Sequence, residues 1–124
     1  MQNVDSSFTP GPLAANTYGL PGGARVSLRL ARARDEASVL ALIARTGAEC
    51  SELDVARLMR FDPRRRMVIC ASTLLDVTEL VVGVGAITLD GERPELLVVD
   101  ERMGEELGHV LSSSLRELQR GRAA

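Results

Sequence analysis

The sequence contains no tryptophan and only three other aromatic residues, Phe8, Tyr18 and Phe61. A hydrophobic core must therefore be built from aliphatic side chains, and the aromatic platforms on which single-stranded nucleic acids stack are lacking. Lysine is also missing, because all 15 basic residues are arginines. Mechanisms that need a lysine amine as nucleophile, Schiff-base former or general base are thereby excluded.

Cysteine is scarce as well, with only Cys50 and Cys70. Two unpatterned cysteines predict neither a disulfide scaffold nor a zinc site, so we expect no metal and a reducing, cytoplasmic location. The net charge of −2 predicts no nucleic-acid partner. Apolar runs are too short to cross a bilayer, and the first residues do not resemble a signal peptide, so we expect no membrane association.

Hydrophobic residues make up 45% of the 124 residues and charged residues 26%, which is typical of one globular domain. Residues 1–24 are rich in proline, glycine and small polar residues and end in Leu20-Pro21-Gly22-Gly23-Ala24. We expect a flexible N-terminal tail over residues 1–24 and one α/β domain over residues 25–124.

Hydrophobic periodicity predicts the elements of the first half of this domain. Residues 25–30 alternate strictly between polar and aliphatic side chains, as in a half-buried strand. Asp35 is a predicted N-cap for a helix that runs to about Thr46. Ser51-Glu52-Leu53-Asp54 has the form of a capping box and predicts a second, short helix that ends before Pro63.

The second half predicts three strands and one helix. Strands are expected at residues 67–74, 80–89 and 95–99, with an Asp90-Gly91 turn between the last two. Gly83 and Gly85 would weaken the middle strand unless a bulge or a close backbone approach is needed. From near Gly104 onward, apolar residues recur at helical spacing. The predicted class is α/β (α+β), with a mostly antiparallel sheet of about four strands and three helices, in the order strand, helix, helix, three strands, helix.

Three segments of this pattern resemble the GNAT-type N-acetyltransferase superfamily, over about residues 25–120. Residues 29–37 are similar to its first strand and Asp-capped helix, and residues 80–87 to its glycine-containing third strand. Residues 97–101, followed by 104–111, are similar to its fourth strand and pyrophosphate-binding turn. The resemblance implies an acyl-CoA-dependent N-acyltransferase that moves an acetyl group from acetyl-CoA to an amine acceptor.

The resemblance also implies where acetyl-CoA would bind, because in the family the turn after the fourth strand holds the pyrophosphate on its backbone amides. The family pattern there is Arg or Gln, two residues, Gly, one residue, then Gly or Ala. Met103 stands at the Arg or Gln position, Glu106 at the first glycine and Gly108 at the last. The candidate cofactor-binding residues carried over by position are Val98, Val99, Met103, Gly104, Glu106, Leu107 and Gly108.

Departures from the family pattern keep a second function open. Glu105 and Glu106 place carboxylates where a diphosphate should bind, although they also suit the first turn of a helix. The chain ends after the helix that follows the fourth strand, no catalytic base can be named, and the strand at residues 96–99 has no lysine or proline to protect its edge. The alternative is a non-catalytic GNAT-like module that homodimerises, or binds a protein partner, through this open edge.

Other polar residues have both a functional and a structural interpretation. The run Arg64-Arg65-Arg66 could bind a phosphate such as the 3′-phosphate of CoA, or could be solvated. Glu49, Glu52 and Asp54 lie where the family often builds its acceptor site, but helix-start charge explains them equally well. Cys50, beside a helix start, and the single histidine, His109, are weaker candidates for a thiolate and for a catalytic group.

Overall fold

The structure is a computed structural model that describes residues 17–20, 25–75, 77–103 and 105–123. In this part of the chain, five strands form one antiparallel sheet and three α-helices pack on it. The strands are β1 (Thr17–Gly19), β2 (Arg25–Leu30), β3 (Arg66–Leu75), β4 (Thr78–Thr88) and β5 (Leu96–Val99). The helices are α1 (Glu36–Thr46), α2 (Glu52–Met59) and α3 (Glu105–Ala123), with single 3-10 turns at Ala33–Asp35 and Glu101–Met103.

The strands follow one another across the sheet in chain order, and each pairs antiparallel with the next. The long β3–β4 hairpin forms the middle, with a register shift where Ala71 pairs with Gly83 but Ser72 pairs with Val81. Val82 is thus the extra residue of a β-bulge. The bulge places the consecutive residues Val82 and Gly83 on the same side of the sheet, facing α3, whereas Val81 faces the opposite core.

Two aliphatic cores lie on the two faces of the sheet. One face packs against α3, whose Leu107, Leu111 and Leu115 are fully buried. The other packs against α1 and α2, mainly through Val39, Leu42 and Val55. The structure is therefore three layers, with the sheet between two helical layers.

The helix ends follow from local sequence. Gly47 adopts the left-handed conformation, with φ 75°, and its N–H donates to the carbonyl of Ile43, so α1 ends there. The predicted capping box at α2 is confirmed: Asp54 N–H donates to Ser51 Oγ at 3.1 Å, and Asp54 Oδ2 accepts from Ser51 N–H at 3.4 Å.

The predicted mixed class, the three helices and the antiparallel sheet are confirmed, but the strand count is corrected. Within the described residues the sheet has five strands rather than about four, because β1 precedes the predicted first strand. Tyr18 and Leu20 alternate on the α3 side, and Leu20 is buried in that core. The other residues of the predicted tail, 1–16 and 21–24, lie outside the described residues, and the boundary at residue 25 stays a prediction.

Candidate functional site

Strand β5 forms one edge of the sheet, and no described strand pairs with its outer side. Asp100 N–H donates to Val82 O at 2.8 Å, and Val98 pairs with Val84 in the same register. In an antiparallel ladder alternate residues direct both main-chain groups to the same neighbour, so Leu97 and Val99 direct theirs outward. The edge therefore offers two N–H and two C=O groups to a ligand or to another chain.

The turn after β5 is organised by the carboxylate of Asp100, which is only 5% exposed. Arg102 donates to it from its guanidinium at 2.9 Å and from its backbone N–H at 3.1 Å. Arg45 of α1 approaches the same carboxylate at 3.5 Å and donates to Val81 O at 2.9 Å. Mainly because of the Arg102 hydrogen bond, the pKa of Asp100 falls to about 2.

This arrangement uses amides that a diphosphate would otherwise bind. The Arg102 N–H is taken by the Asp100 side chain, and the Met103 N–H donates to Asp100 O at 2.9 Å. A depression of about 350 Å³ lies beside the turn, lined by Arg45, Thr46, Asp100, Glu101 and Arg102. Its two arginines are balanced by the carboxylates of Asp100 and Glu101, so the lining carries no net positive charge for an anion.

The residues predicted to bind the cofactor lie on different sides of the sheet. Val98 is buried against the α1 and α2 layer, whereas Val99 and Met103 are half-buried on the α3 side. Leu107 is fully buried, so its side chain belongs to the core. What remains accessible is the outer main chain of β5 and, at the start of α3, the residues described next.

At the start of α3, Glu105 and Glu106 are exposed and Gly108 is half-buried. A Cβ added at Gly108 would meet nothing within 4 Å, so close packing within the described chain does not require glycine there. Predicted Gly104 lies outside the described residues. Carboxylates in the first turn complement the helix dipole, but they repel a bound diphosphate.

A second depression, of about 370 Å³, lies at the other end of β5 and is rich in carboxylates. It is lined by Glu49, Cys50, Asp54, Arg57, Leu58, Arg66, Glu95 and Leu96. Asp54 is engaged in the α2 capping box, and Glu95 forms an ion pair with Arg66. Within the described part of the chain, Glu49 has neither a hydrogen bond nor an ion pair. We call this depression, with Glu49 at its rim, the acidic cleft.

Cys50 lines the acidic cleft, but its surroundings do not favour a thiolate. Burial raises the pKa of the Cys50 thiol, and the negative charge of Asp54 raises it further. The protonated thiol is the poorer nucleophile, so Cys50 is better described as a small residue of the cleft wall.

The run Arg64-Arg65-Arg66, which could bind a phosphate such as the 3′-phosphate of CoA, lies far from the turn after β5. Arg66 pairs with Thr88 at the end of the sheet where β5 begins, whereas Asp100 follows its last residue. Four strand residues separate these ends, roughly 13 Å at 3.3 Å per residue. Arg64 pairs with Asp62 at 3.3 Å, which supports the structural interpretation of the run.

The structure also brings together two residues that sequence analysis kept apart. Tyr18 of β1 and His109 of α3 line one depression of about 250 Å³, with Glu106, Ser113 and Glu117 nearby. The available signal for this strand was the alternation of Tyr18 and Leu20 ahead of Pro21-Gly22-Gly23 in the sequence. His109 is exposed, as expected for a residue off the apolar stripe of the helix.

Searches with protein-family models, curated protein sequences and solved structures found no match for this chain. Among the described residues, no helix is both long and apolar enough to cross a membrane. The same residues contain no group of three or more histidine, cysteine, aspartate or glutamate side chains placed to hold a metal ion.

Proposed function

We propose that the protein is a GNAT-like N-acyltransferase that binds acetyl-CoA along β5 and transfers the acetyl group to an amine. The observation that carries this proposal is the outer side of β5, where Leu97 and Val99 present main-chain groups that no described strand pairs, immediately before a turn and a helix start. An extended, amide-containing ligand such as the pantetheine arm can pair with such an edge as an added strand would.

Acetyl transfer from a thioester to an amine mainly requires that the protein position the two reactants. The amine nitrogen attacks the thioester carbonyl carbon, the C–N bond forms, the C–S bond breaks, and the thiolate takes up the proton that the amine loses. The outward N–H of Leu97 would donate to the thioester oxygen and stabilise the charge that develops there. The acetyl group would then lie near Leu96, which also lines the acidic cleft.

The acidic cleft is the proposed acceptor site, since its carboxylates attract a cationic amine. Glu49 is the carboxylate there that is free to accept a proton, because Asp54 and Glu95 are held by their own partners. It would act as a general base directly or through one water molecule. The proposal therefore places the acceptor at the start of β5 and the diphosphate at its end.

The turn after β5 is poorly suited to hold a diphosphate. Asp100 occupies amides of the turn, and Glu105 and Glu106 add negative charge beside it. We therefore expect low affinity for acetyl-CoA. Replacing both glutamates with glutamine should raise the affinity, because each close like-charge contact near a surface costs on the order of 1 kcal/mol, roughly fivefold in affinity.

Isothermal titration of the protein with acetyl-CoA tests this proposal. Wild type should bind weakly, and the Glu105→Gln/Glu106→Gln double variant should bind several-fold more tightly at low salt. Glu117→Gln, an exposed change farther along the same helix, is the matched control and should bind like wild type. Failure of the double variant to bind acetyl-CoA at any accessible protein concentration would rule the acyltransferase out.

A second candidate function is favoured by the apolar character of the same edge. Leu97 remains 42% exposed although it lies in a strand of four aliphatic residues. Natural edge strands are usually protected by charge, proline or a bulge, and β5 has none of these over Leu96–Val99. A non-catalytic module that binds another protein chain through β5 would use this surface directly.

A further inference from the structure

We propose that the acceptor bound in the acidic cleft is a free amino acid with an aliphatic side chain, held by its ammonium at Glu49 and by its carboxylate at Arg57. The inference deepens the proposed function, because it names the chemical class of the amine, and it rests on that function for the transfer step. The cleft has a volume of about 370 Å³, which suits a small molecule.

The cleft carries one uncommitted charge of each sign. Glu95 is neutralised by its ion pair with Arg66, and Asp54 belongs to the capping box of α2, where the helix dipole favours a carboxylate. Within the described part of the chain, the side chains of Glu49 and Arg57 form no hydrogen bond or ion pair, with each other or with another residue. One anionic and one cationic group are therefore left for a ligand.

The fold brings these two free charges to one depression from separate parts of the chain. Arg57 lies on the same face of α2 as Asp54, because residues three apart on a helix are neighbours. Glu49 lies in the segment between α1 and α2, after Gly47 has ended α1. Both charged side chains line the cleft and are exposed, so both can turn towards a ligand.

Arg57 decides which class of amine the cleft accepts. An acceptor that is only a cation, such as an alkyl amine or a polyamine, would meet Arg57 as a like charge, which offsets the attraction of Glu49. An amino acid meets each of the two residues with an opposite charge. The guanidinium can also donate two parallel hydrogen bonds to a carboxylate, so Arg57 would orient the amino acid as well as attract it.

The rest of the cleft wall favours an aliphatic side chain on the amino acid. Cys50, Leu58 and Leu96 line the cleft and are half-buried against the core beneath α1 and α2. A side chain such as that of leucine would cover this wall and remove apolar surface from water on both partners. L-leucine is therefore the probe that matches the cleft in charge and in shape.

Heteronuclear NMR titrations without acetyl-CoA test the site, using L-leucine and two ligands that each lack one of its charges. Leucine should shift the amide signals of Glu49 and Arg57. Leucinamide, which has no carboxylate, and N-acetylleucine, which has no ammonium, should each bind about fivefold more weakly, as expected for the loss of one close charge pair near a surface. Binding of either analogue as tightly as leucine, or no shift up to the solubility of leucine, would overturn the proposal.

Substitutions assign each charge of the ligand to its residue. Arg57→Gln should weaken leucine binding about fivefold without weakening leucinamide, whereas Glu49→Gln should weaken leucine without weakening N-acetylleucine. Both side chains are exposed, so both variants should fold. Arg60→Gln removes an exposed arginine at the end of α2 that does not line the cleft, and this matched control should bind leucine like wild type. Equal weakening by Arg60→Gln and Arg57→Gln would show an effect of net charge and contradict a site at Arg57.

Failure of this proposal and failure of the proposed function give different results. Leucine binding, measured without acetyl-CoA, would support the amino-acid site even if the acetyl-CoA titration failed, and that failure would remove only the transfer. Binding of acetyl-CoA without binding of leucine would leave the acyltransferase in place and overturn the amino acid as its acceptor.

Discussion

Asp100 is the residue that connects the end of β5 to β4, to the following turn and to α1. Its backbone N–H continues the ladder to Val82, and its carboxylate holds Arg102 in the turn and Arg45 on α1. A carboxylate that is 5% exposed requires such partners, because burial without them would be costly. Sequence analysis placed this residue only in a family-like segment, since pairing with an arginine 55 positions earlier has no local signature.

Asp100→Asn should destabilise the fold while leaving the turn geometry largely intact. Asparagine can still accept from Arg102 N–H, but it loses the charge that both arginines neutralise. Hydrogen bonds to charged groups are worth about 1.5–3 kcal/mol, and the exposure of Arg102 places the expected loss near the lower end. Urea denaturation at neutral pH measures this loss in the free energy of unfolding. Glu101→Gln, an exposed neighbour, is the control and should change stability little.

The stabilities of wild type and Asp100→Asn should differ less at acidic pH than at neutral pH. The pKa of Asp100 is about 2 in the folded chain and about 3.9 in an unfolded one, so its contribution is present above roughly pH 4 and is lost as the pH falls towards 2. The stability gap between wild type and Asp100→Asn should therefore narrow on acidification. A gap that stays constant between neutral pH and about pH 3 would show that charge is not its origin.

At the scale of elements, the glycines of β4 explain how α3 lies so close to the sheet. A Cβ at Gly83 would be 2.8 Å from Leu111 Cδ1, and one at Gly85 would be 2.9 Å from Leu115 Cδ1. The sequence indicated a bulge or a close approach at these positions, and both occur: the bulge at Val82 and the helix over the glycines. The sequence of the strand could not predict that α3 is the helix that approaches these glycines, because that contact depends on tertiary packing.

Gly83→Ala and Gly108→Ala should have opposite effects on stability. The first forces a methyl group against a fully buried leucine and should cost about 1–3 kcal/mol. The second adds a methyl group where nothing lies within 4 Å and should stabilise α3 by about 0.5–1 kcal/mol. Thermal unfolding of both variants provides the measurement. Destabilisation by Gly108→Ala would mean that the start of α3 needs glycine for a reason other than space.

The elements that sequence analysis found are those with strong periodicity. Helix α3 has its apolar residues at helical spacing, and β2 alternates strictly, so both lie close to their predicted positions. Strand β1 was missed because three residues beside a proline- and glycine-rich stretch carry little periodic signal. β1 is a strand because it pairs with β2, and the sequence of residues 17–19 alone does not indicate that pairing.

At the scale of the whole molecule, one sheet edge serves both proposed functions. The acyl-CoA arm and another protein chain would each use the outward main-chain groups of Leu97 and Val99. Hydrophobic periodicity could predict that such an edge exists. It could not predict that Asp100 occupies the amide of Arg102, or where the acidic cleft lies, because these features depend on the folded structure. Because both would use the same main-chain groups of β5, the ligand and the partner chain would compete.

For a module that homodimerises through β5, competition at this edge predicts that acetyl-CoA converts dimer into monomer. A ligand that binds only the monomer shifts the monomer–dimer equilibrium towards monomer. By linkage, dimerisation must weaken ligand binding to the same extent. Sedimentation of wild type with rising acetyl-CoA should show loss of dimer, and titrations at higher protein concentration should give weaker apparent affinity. Leu97→Lys, held monomeric, should bind with an affinity that does not depend on protein concentration. If acetyl-CoA bound wild type equally well at all concentrations while the dimer persisted, the two would occupy different surfaces, and β5 would belong to the dimer alone.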